Sequence, residues 1–372
     1  MIYLDNAATT KPCAECVKAV NEAMDAAFGN ASSLHKMGSV SIGMIARARK
    51  TLLTALSGTK TPLDGSVIFT SGATESNNLA LLGVGRRSNR FRDKKVNIVT
   101  TAIEHPSVAK TLVRFEEDGF EVRRLAPKDH NDFVGALADA VDENTFLLSA
   151  MAVNNETGFK IDVTRLYKEV KRKNPKTIVH IDAVQGFLKM PLDGDLISVS
   201  GHKIHSTKGI GALFVKKGQA ILPLLSGGGQ QNNLRSGTEP VELIAGFEAA
   251  INAYKYSEKH FVKLKERLLT GLAEIDDIVI NSGTDCVPNI VNFSVRGVRS
   301  EIMLHSLEEE EIYVSSGSAC SKGKKSEVLP AFGVSEKDTD CAVRVSFSAE
   351  NTTDDVDALC DKIKKTVERV RR

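Results

Sequence analysis

Residues 177–203 read TIVHIDAVQGFLKMPLDGDLISVSGHK, and their pattern decides the fold class. Two short apolar, β-branched runs, Thr177–Ile181 and Asp195–Ser200, each break off into a polar cluster, Asp182–Gln185 and Ser200–Lys203. Runs of this length bounded by turn residues predict buried strands. Outward from them the same unit repeats. Ser66–Thr70, Val96–Thr100, Thr145–Ala150 and Gly211–Val215 predict further strands, with helical patterns at Glu75–Gly83, Ser107–Asp118 and Val163–Lys173. Such alternation predicts an α/β fold with a mostly parallel central sheet. Ligands of these sheets bind beyond the carboxyl ends of the strands. The polar clusters Ser71–Asn78, Glu104–Ser107 and Asn154–Gly158 also fall at such ends.

Beyond about residue 255 the pattern changes. Helical stretches at His260–Ile275 and Ser300–Glu308 alternate with strand-like Ile290–Val295 and Ala342–Ser348. A last amphipathic helix carries Val356, Leu359, Cys360, Ile363, Val367 and Val370, with Asp354 and Asp355 at its start. The expected division is a large domain over 13–254 and a smaller α/β domain over 255–372, joined by residues 1–12. A chain of 372 residues is long enough for both.

Bulk properties exclude several classes. A net charge of +2, no Trp and 5% aromatic residues leave no footprint for direct nucleic-acid binding. No apolar run reaches the roughly 18 residues that span a bilayer, and MIYLDNAATT lacks the features of a signal peptide. The expectation is a cytoplasmic protein with no membrane contact. Six cysteines are too few for a disulfide scaffold at this length. Cys13 and Cys16 form a lone CxxC, read as two ordinary thiols at a helix start, and no metal site is expected.

The chemistry concentrates at the strand ends. Lys203 follows a strand beside Ser200 and His202. A lysine that forms a Schiff base must be unprotonated to attack an aldehyde, and burial or nearby positive charge favours that state. A phosphate-binding lysine is the alternative. Asp182 is a carboxylate at a buried strand end. It suits a protonated pyridine nitrogen, with Gln185 donating to a phenolic oxygen, or a simple helix cap. In Thr70–Asn78 small residues turn the chain into a helix whose free N–H groups suit a phosphate, or again a plain cap. His105 can stack on a flat ring and move protons near neutrality. Asn154, Asn155 and Glu156 form a polar cluster that calls for a ligand or a buried network. Cys320, on a small-residue stretch with Lys322, Lys324 and Lys325, has the setting of a reactive thiolate. Cys286, Cys341 and Cys360 read as buried and inert.

The ordered motifs YLDNAATT (3–10), GNASSLH (29–35), FTSGATESNN (69–78), EHPSV (104–108), VNNETG (153–158), HIDAVQ (180–185), SGHKIHSTKGIGALFV (200–215), RSGT (235–238) and GSACSKG (317–323) span nearly the whole chain. Together they resemble the cysteine desulfurases of the nitrogen-fixation and iron–sulfur-cluster type, within the fold-type I, aminotransferase class V enzymes. The resemblance implies pyridoxal 5'-phosphate as cofactor, carried on Lys203. It implies Asp182 at the pyridine nitrogen, Gln185 at the phenolic oxygen and His105 on the ring. Ala73, Thr74, Ser200 and His202 would hold the phosphate, and Thr238 would reach the phosphate of a second subunit in a homodimer. Asn155 would lie beside cofactor and substrate, and Arg344 would anchor the carboxylate of L-cysteine. Cys320 would be the nucleophile that takes the sulfur as a persulfide and passes it to an acceptor protein, such as an iron–sulfur scaffold or a tRNA-thiolation enzyme.

Two departures from the family pattern stand out. Gln231 and Asn232 occupy positions where the family usually has Glu-Arg, and the stretch after Cys320 is shorter and more basic. Alternative readings are another class V enzyme, such as an aminotransferase or a selenocysteine or cystine lyase, and a non-catalytic sulfur-assembly scaffold.

Overall fold

The structure is a computed structural model that describes residues 1–87, 96–316 and 326–371. The chain opens with a two-residue strand, β1 (Ile2–Tyr3), and then builds a seven-stranded sheet from β2 (Gly65–Thr70), β3 (Asn97–Thr101), β4 (Glu121–Leu125), β5 (Thr145–Met151), β6 (Ile178–Asp182), β7 (Leu196–Ser200) and β8 (Gly211–Lys216). Their spatial order is β2-β8-β7-β6-β5-β3-β4. All pairings from β7 through β4 are parallel, and only β8 runs against its neighbours β2 and β7. The mostly parallel α/β sheet expected from the sequence is therefore the fold.

Alternate residues of each strand serve opposite faces. Val67, Phe69, Val99, Ala212 and Phe214 pack on one side, among residues of α1 (Ala14–Ala26), α2 (Lys36–Ser57), α5 (Phe133–Asp139), α6 (Val163–Lys173) and α7 (Val241–Ala253). Ile68, Ile98, Leu213 and Val215 pack on the other, under α3 (Ala73–Arg87) and α4 (Pro106–Glu117). Covered on both faces, the inner strands are apolar throughout. All seven residues of β5 are buried.

A second core lies in the C-terminal third. Its elements are α8 (Glu258–Ala273), β9 (Ile278–Ile280), β10 (Ile290–Val295), α9 (Ser300–Glu308), β11 (Ile312–Tyr313), α10 (Glu336–Asp340), β12 (Ala342–Ser346) and α11 (Thr353–Val370). Leu264, Leu268, Phe293, Val345, Leu359 and Ile363 are fully buried there. Each such side chain contributes about 1.5–3 kcal/mol relative to exposure. The N-terminal residues belong to the same core: β1 pairs with β11, and Leu4 is buried in this cluster. Asp5 then bridges to Ser346 at the end of β12, and residues 6–10 run on from there to the large sheet.

Candidate active site

Strands β2, β3, β5, β6 and β7 all end on the same edge of the sheet, and the predicted site residues emerge from those ends. At β2 the chain passes through Ser71 and Gly72 into α3. Gly72 has φ +153, and open space lies where a Cβ would sit. Gly211, at the start of β8, approaches so closely that a Cβ there would lie 2.7 Å from Gly72 Cα. The turn is braced from within and without. Thr70 Oγ1 and Ser76 Oγ are 2.7 Å apart, and Glu75 Oε2 accepts from Ser71 N at 2.7 Å. Arg235 pairs with Glu75 at 2.9 Å. Against the cost of burial, Arg235 and the Ser71 N–H hold the Glu75 carboxyl below its usual value. The first N–H groups of α3, at Ala73 and Thr74, need partners from outside the helix. Facing the same edge, Ser200 Oγ is buried without a hydrogen-bond partner among the described residues.

Asp182, at the end of β6, is 4% exposed. Its Oδ1 accepts from Val184 N at 3.1 Å, and its Oδ2 accepts from Asn77 Nδ2 at 2.7 Å. The same Asn77 amide donates to Ser107 Oγ at 2.9 Å. Ser107 in turn fixes His105, which caps α4: His105 Nδ1 accepts from Ser107 N at 3.1 Å and lies 2.8 Å from Ser107 Oγ. An Nδ1 that accepts leaves the ring proton on Nε2. Burial pushes the His105 imidazole below its usual pKa, with the Asp182 charge opposing. Asn77 thus links His105 to Asp182. Behind them, His180 sits between Ser149 Oγ (2.9 Å) and Ser198 Oγ (3.0 Å), and burial pushes its pKa to about 4. It is a neutral core histidine.

Lys203 lies in the turn after β7. Its Nζ donates to Ala7 O at 2.6 Å and Ala8 O at 2.8 Å. Gln185 Nε2 also donates to Ala7 O, at 2.8 Å. Both side chains therefore hold the N-terminal segment across the strand ends. His202 Nδ1 lies 3.3 Å from Thr9 Oγ1, and burial, then the Lys203 charge, pushes its pKa to about 4.

The second core supplies the opposite wall. Arg344, on β12, is 1% exposed. Nη1 donates to Asn155 O at 2.9 Å and Nη2 to Asp5 Oδ1 at 2.6 Å, while Nε is buried with no partner among the described residues. A guanidinium with a spare buried donor suits a further carboxylate. Next to Asn155, Glu156 Oε2 accepts from Ser326 Oγ at 2.6 Å. Burial raises the Glu156 pKa to about 7, with Ser326 and Arg344 opposing. The backbones of Ser315 and Arg344 are paired at 2.6 and 3.1 Å.

Of the predicted site residues, Ala73, Thr74, His105, Asp182, Gln185, Ser200, His202 and Lys203 gather at one sheet edge, with Asn155 and Arg344 in contact with each other beside it. Thr238 is exposed, three residues past Arg235. Cys320 and Lys322, Lys324 and Lys325 lie outside the described residues. Cys286 is buried, and Cys341 and Cys360 are half-buried rather than buried as expected. Burial pushes the thiols of Cys286 and Cys360 up to about 11 and 12. The departure at Gln231 has a structural role. Its Oε1 accepts from Phe69 N and its Nε2 donates to Phe69 O, both at 2.7 Å. An ionised glutamate could not donate to that carbonyl. Gln231, Asn232 and Asn233 all adopt positive φ (+50, +60 and +63) to deliver the amide there.

Asn77, Glu104 and Asp5 were not singled out as site residues by sequence reasoning. Glu104 is buried beside Met151 N (2.9 Å), and burial, with the Asp182 charge adding, raises its pKa to about 8. Each lies inside one of the ordered motifs. A polar residue at an apolar position of a helix, such as Asn77 on α3, was the available signal.

A strand-end lysine, a buried carboxylate with a bridging amide, a helix N-terminus with an orphan hydroxyl opposite and a buried arginine thus lie together along one edge of the sheet. Residues 2–359 match the aminotransferase class-V family, and the chain belongs to it. It is 37% identical to a NifS/IcsS protein homolog of Lactobacillus delbrueckii subsp. bulgaricus, over 96% of this chain and 94% of that protein. It is 36% identical to the cysteine desulfurase IscS of Methanosarcina thermophila, over 100% of this chain and 93% of that protein. A solved NifS-like protein superposes with a TM-score of 0.89 at 34% identity, covering 99% of both chains. Within the class V family, the chain belongs with the cysteine desulfurases.

Proposed function

We propose that this chain removes the sulfur of L-cysteine with bound pyridoxal 5'-phosphate, giving L-alanine and a persulfide on Cys320. The observation that carries this reading is the way the chain flanking Cys320 is fastened. Ser315, on one side, pairs with the Arg344 backbone, and Ser326, on the other, bonds to Glu156 beside Asn155. Both anchors belong to the wall assigned to the substrate. A solved relative, described as SspA in complex with cysteine, matches 93% of this chain with a TM-score of 0.80 at 29% identity.

The residues fit the cofactor. Ser200 Oγ is an orphaned donor opposite the N-terminus of α3, where Gly72 leaves room for a phosphate. Ala73, Thr74, Ser200 and His202 would hold that phosphate. Asp182, held in place by the Asn77 and Val184 donors, would hold a proton on the ring nitrogen. Gln185 has a second amide hydrogen for the phenolic oxygen, and His105 would lie against the ring. When bound, the cofactor supplies an electron sink for the substrate carbon.

The chain's own residues then do the following. Arg344 and Asn155 bind and orient the substrate, the arginine through its carboxylate. Lys203, once it has released the cofactor, takes the proton from the substrate Cα. The Cys320 thiolate attacks the substrate sulfur, so that an S–S bond forms and the C–S bond breaks. The electron pair stays on the carbon side, which takes up a proton and leaves as alanine. The persulfide passes to an acceptor protein, such as an iron–sulfur scaffold or a tRNA-thiolation enzyme. The exposed position of Thr238 supports a homodimer in which it reaches the second subunit's phosphate. The separate cores support two domains, 13–254 and 1–12 with 255–372.

The test is Cys320→Ser. We expect sulfide and alanine release to fall to background while the visible absorbance of the holoprotein still responds to L-cysteine, and mass spectrometry to find the extra sulfur on Cys320 of the wild type. Sulfide release at the wild-type rate from the variant would refute the reading.

A further inference from the structure

Glu75 is an awkward neighbour for a phosphate. It lies in the first turn of α3, and its Oε2 accepts from Ser71 N at 2.7 Å. A helix start favours an anion, but the N–H groups of Ala73 and Thr74, assigned to the cofactor phosphate, belong to the same start. Burial opposes ionisation of Glu75, yet Arg235 and the Ser71 N–H outweigh it and hold the carboxyl below its usual value. Glu75 is therefore a carboxylate at neutral pH, at a site meant for a group that itself carries about −1.5 to −2 charges. Like charges at one site repel.

Arg235 answers that charge. Its Nε donates to Glu75 Oε1 at 2.9 Å and its Nη2 to Oε2 at 3.3 Å, so the guanidinium fork engages both oxygens. The two side chains are only 19% and 16% exposed, which limits screening by solvent. The backbone around Arg235 is fastened by other groups. Leu234 N donates to Gln231 O at 3.2 Å and Ser236 N to Leu225 O at 3.3 Å, and the Gln231 amide pairs with Phe69 on β2. The guanidinium is thus not what fixes its own segment.

We propose that Arg235 is a positioning residue for the cofactor phosphate: its pairing with Glu75 keeps that carboxylate on the Ser71 N–H and offsets its repulsion of a phosphate at the start of α3. The proposal rests on the reading of that helix start as the phosphate site. Arg235 acts through Glu75 and not as a ligand, since its Nε and Nη2 are committed to the carboxylate. Without the guanidinium, carboxylate and phosphate would each weaken the other's hold on the helix start.

The test uses the full-length protein stripped of cofactor and titrated, by visible absorbance, with pyridoxal 5'-phosphate and with pyridoxal. The ratio of the two dissociation constants isolates the contribution of the phosphate. Arg235→Gln should lower the preference for the phosphorylated form about tenfold while leaving pyridoxal binding near that of the wild type. Arg235→Lys, which keeps the charge, should retain most of the preference. Glu75→Gln should keep or raise it. The double variant Glu75→Gln, Arg235→Gln should return it to within about threefold of the wild type, because the charge that Arg235 offsets is gone. Stabilisation of each stripped protein by inorganic phosphate, read as a shift in Tm, should follow the same order. Arg235→Met replaces the glutamine variant should that one unfold. A double variant as weak as Arg235→Gln would make Arg235 a direct phosphate ligand, and equal loss of pyridoxal and pyridoxal 5'-phosphate binding would make the pair merely structural. Either result overturns the proposal, as does an Arg235→Gln variant with the wild-type preference. A wild type that does not prefer the phosphorylated form would sink the reading of the helix start itself, and the proposal with it.

Discussion

Arg344 Nη2 and Asp5 Oδ1 stand 2.6 Å apart, so the N-terminal segment neutralises the buried arginine proposed to receive the substrate carboxylate. Asp5 is the one carboxylate paired with Arg344 among the described residues. Removing it strands a guanidinium that is 1% exposed. Asp5→Ala should therefore destabilise the protein by about 3 kcal/mol in urea unfolding. Asp5→Asn, which keeps an acceptor oxygen, should cost less. Equal stability of the alanine variant and the wild type would mean that the pair contributes nothing.

At Arg344 itself the expected defect is in recognition. Lysine cannot reproduce the planar fork that reaches Asn155 O, Asp5 and a third partner together. Arg344→Lys should lower kcat/KM for L-cysteine by about 100-fold, chiefly through KM. Steady-state kinetics separate the two constants. A loss confined to kcat would move Arg344 from substrate binding to another role.

Asn77 gives a graded series. Asn77→Ala removes the donor at 2.7 Å from Asp182 and the anchor of Ser107, and should cost about tenfold in kcat/KM. Asn77→Asp is nearly isosteric but sets a second carboxylate against Asp182. Like charges that close raise one another's pKa, so the aspartate variant should be the worse of the two. The reverse order of activities would contradict the proposed role of an ionised Asp182.

Glu104 makes a stability prediction with a definite sign. Its carboxyl is held at about 8 in the folded protein against an ordinary 4.5. The folded state then binds a proton that the unfolded state releases. The resulting stability is fully present below about 4.5 and is lost as pH rises toward 8. Glu104→Gln has no proton to lose. Between pH 6 and pH 8.5 the unfolding free energy of the wild type should fall relative to that of the variant, by at most about 1.4 kcal/mol per unit. Parallel pH profiles would show that Glu104 is ionised throughout.

Much of the fold is legible in the amino-acid sequence. Fully buried strands announce themselves as short apolar runs, and β5, β6, β7 and β8 fall within a residue or two of their expected limits. Strand β4 was missed, for a physical reason. It is the sheet's edge, half-exposed, and its sequence EVRRL carries Arg123 and Arg124, which pair with Asp142 and Glu116. Nothing in five polar-rich residues distinguishes such a strand from a loop. In the site, residues at the ends of strands could be read because topology gathers strand ends. Asn77 could not be assigned its partner, since Asp182 lies 105 residues away and a hydrogen bond across that distance leaves no periodic trace. The same holds for Asp5 and Arg344, 339 positions apart. The Cys320 assignment still rests on resemblance, because that residue lies outside the described ones.

The amide of Gln231 has a consequence at the far side of the sheet. Strand β2 ends the sheet opposite β4, and Phe69 would otherwise present an unpaired N–H and C=O outward. Gln231 occupies both, as a single residue of an added strand would. A neighbouring molecule looking for a backbone to pair with meets a side chain already seated there. The three left-handed residues at 231–233 thus close this position of the sheet margin to an added strand.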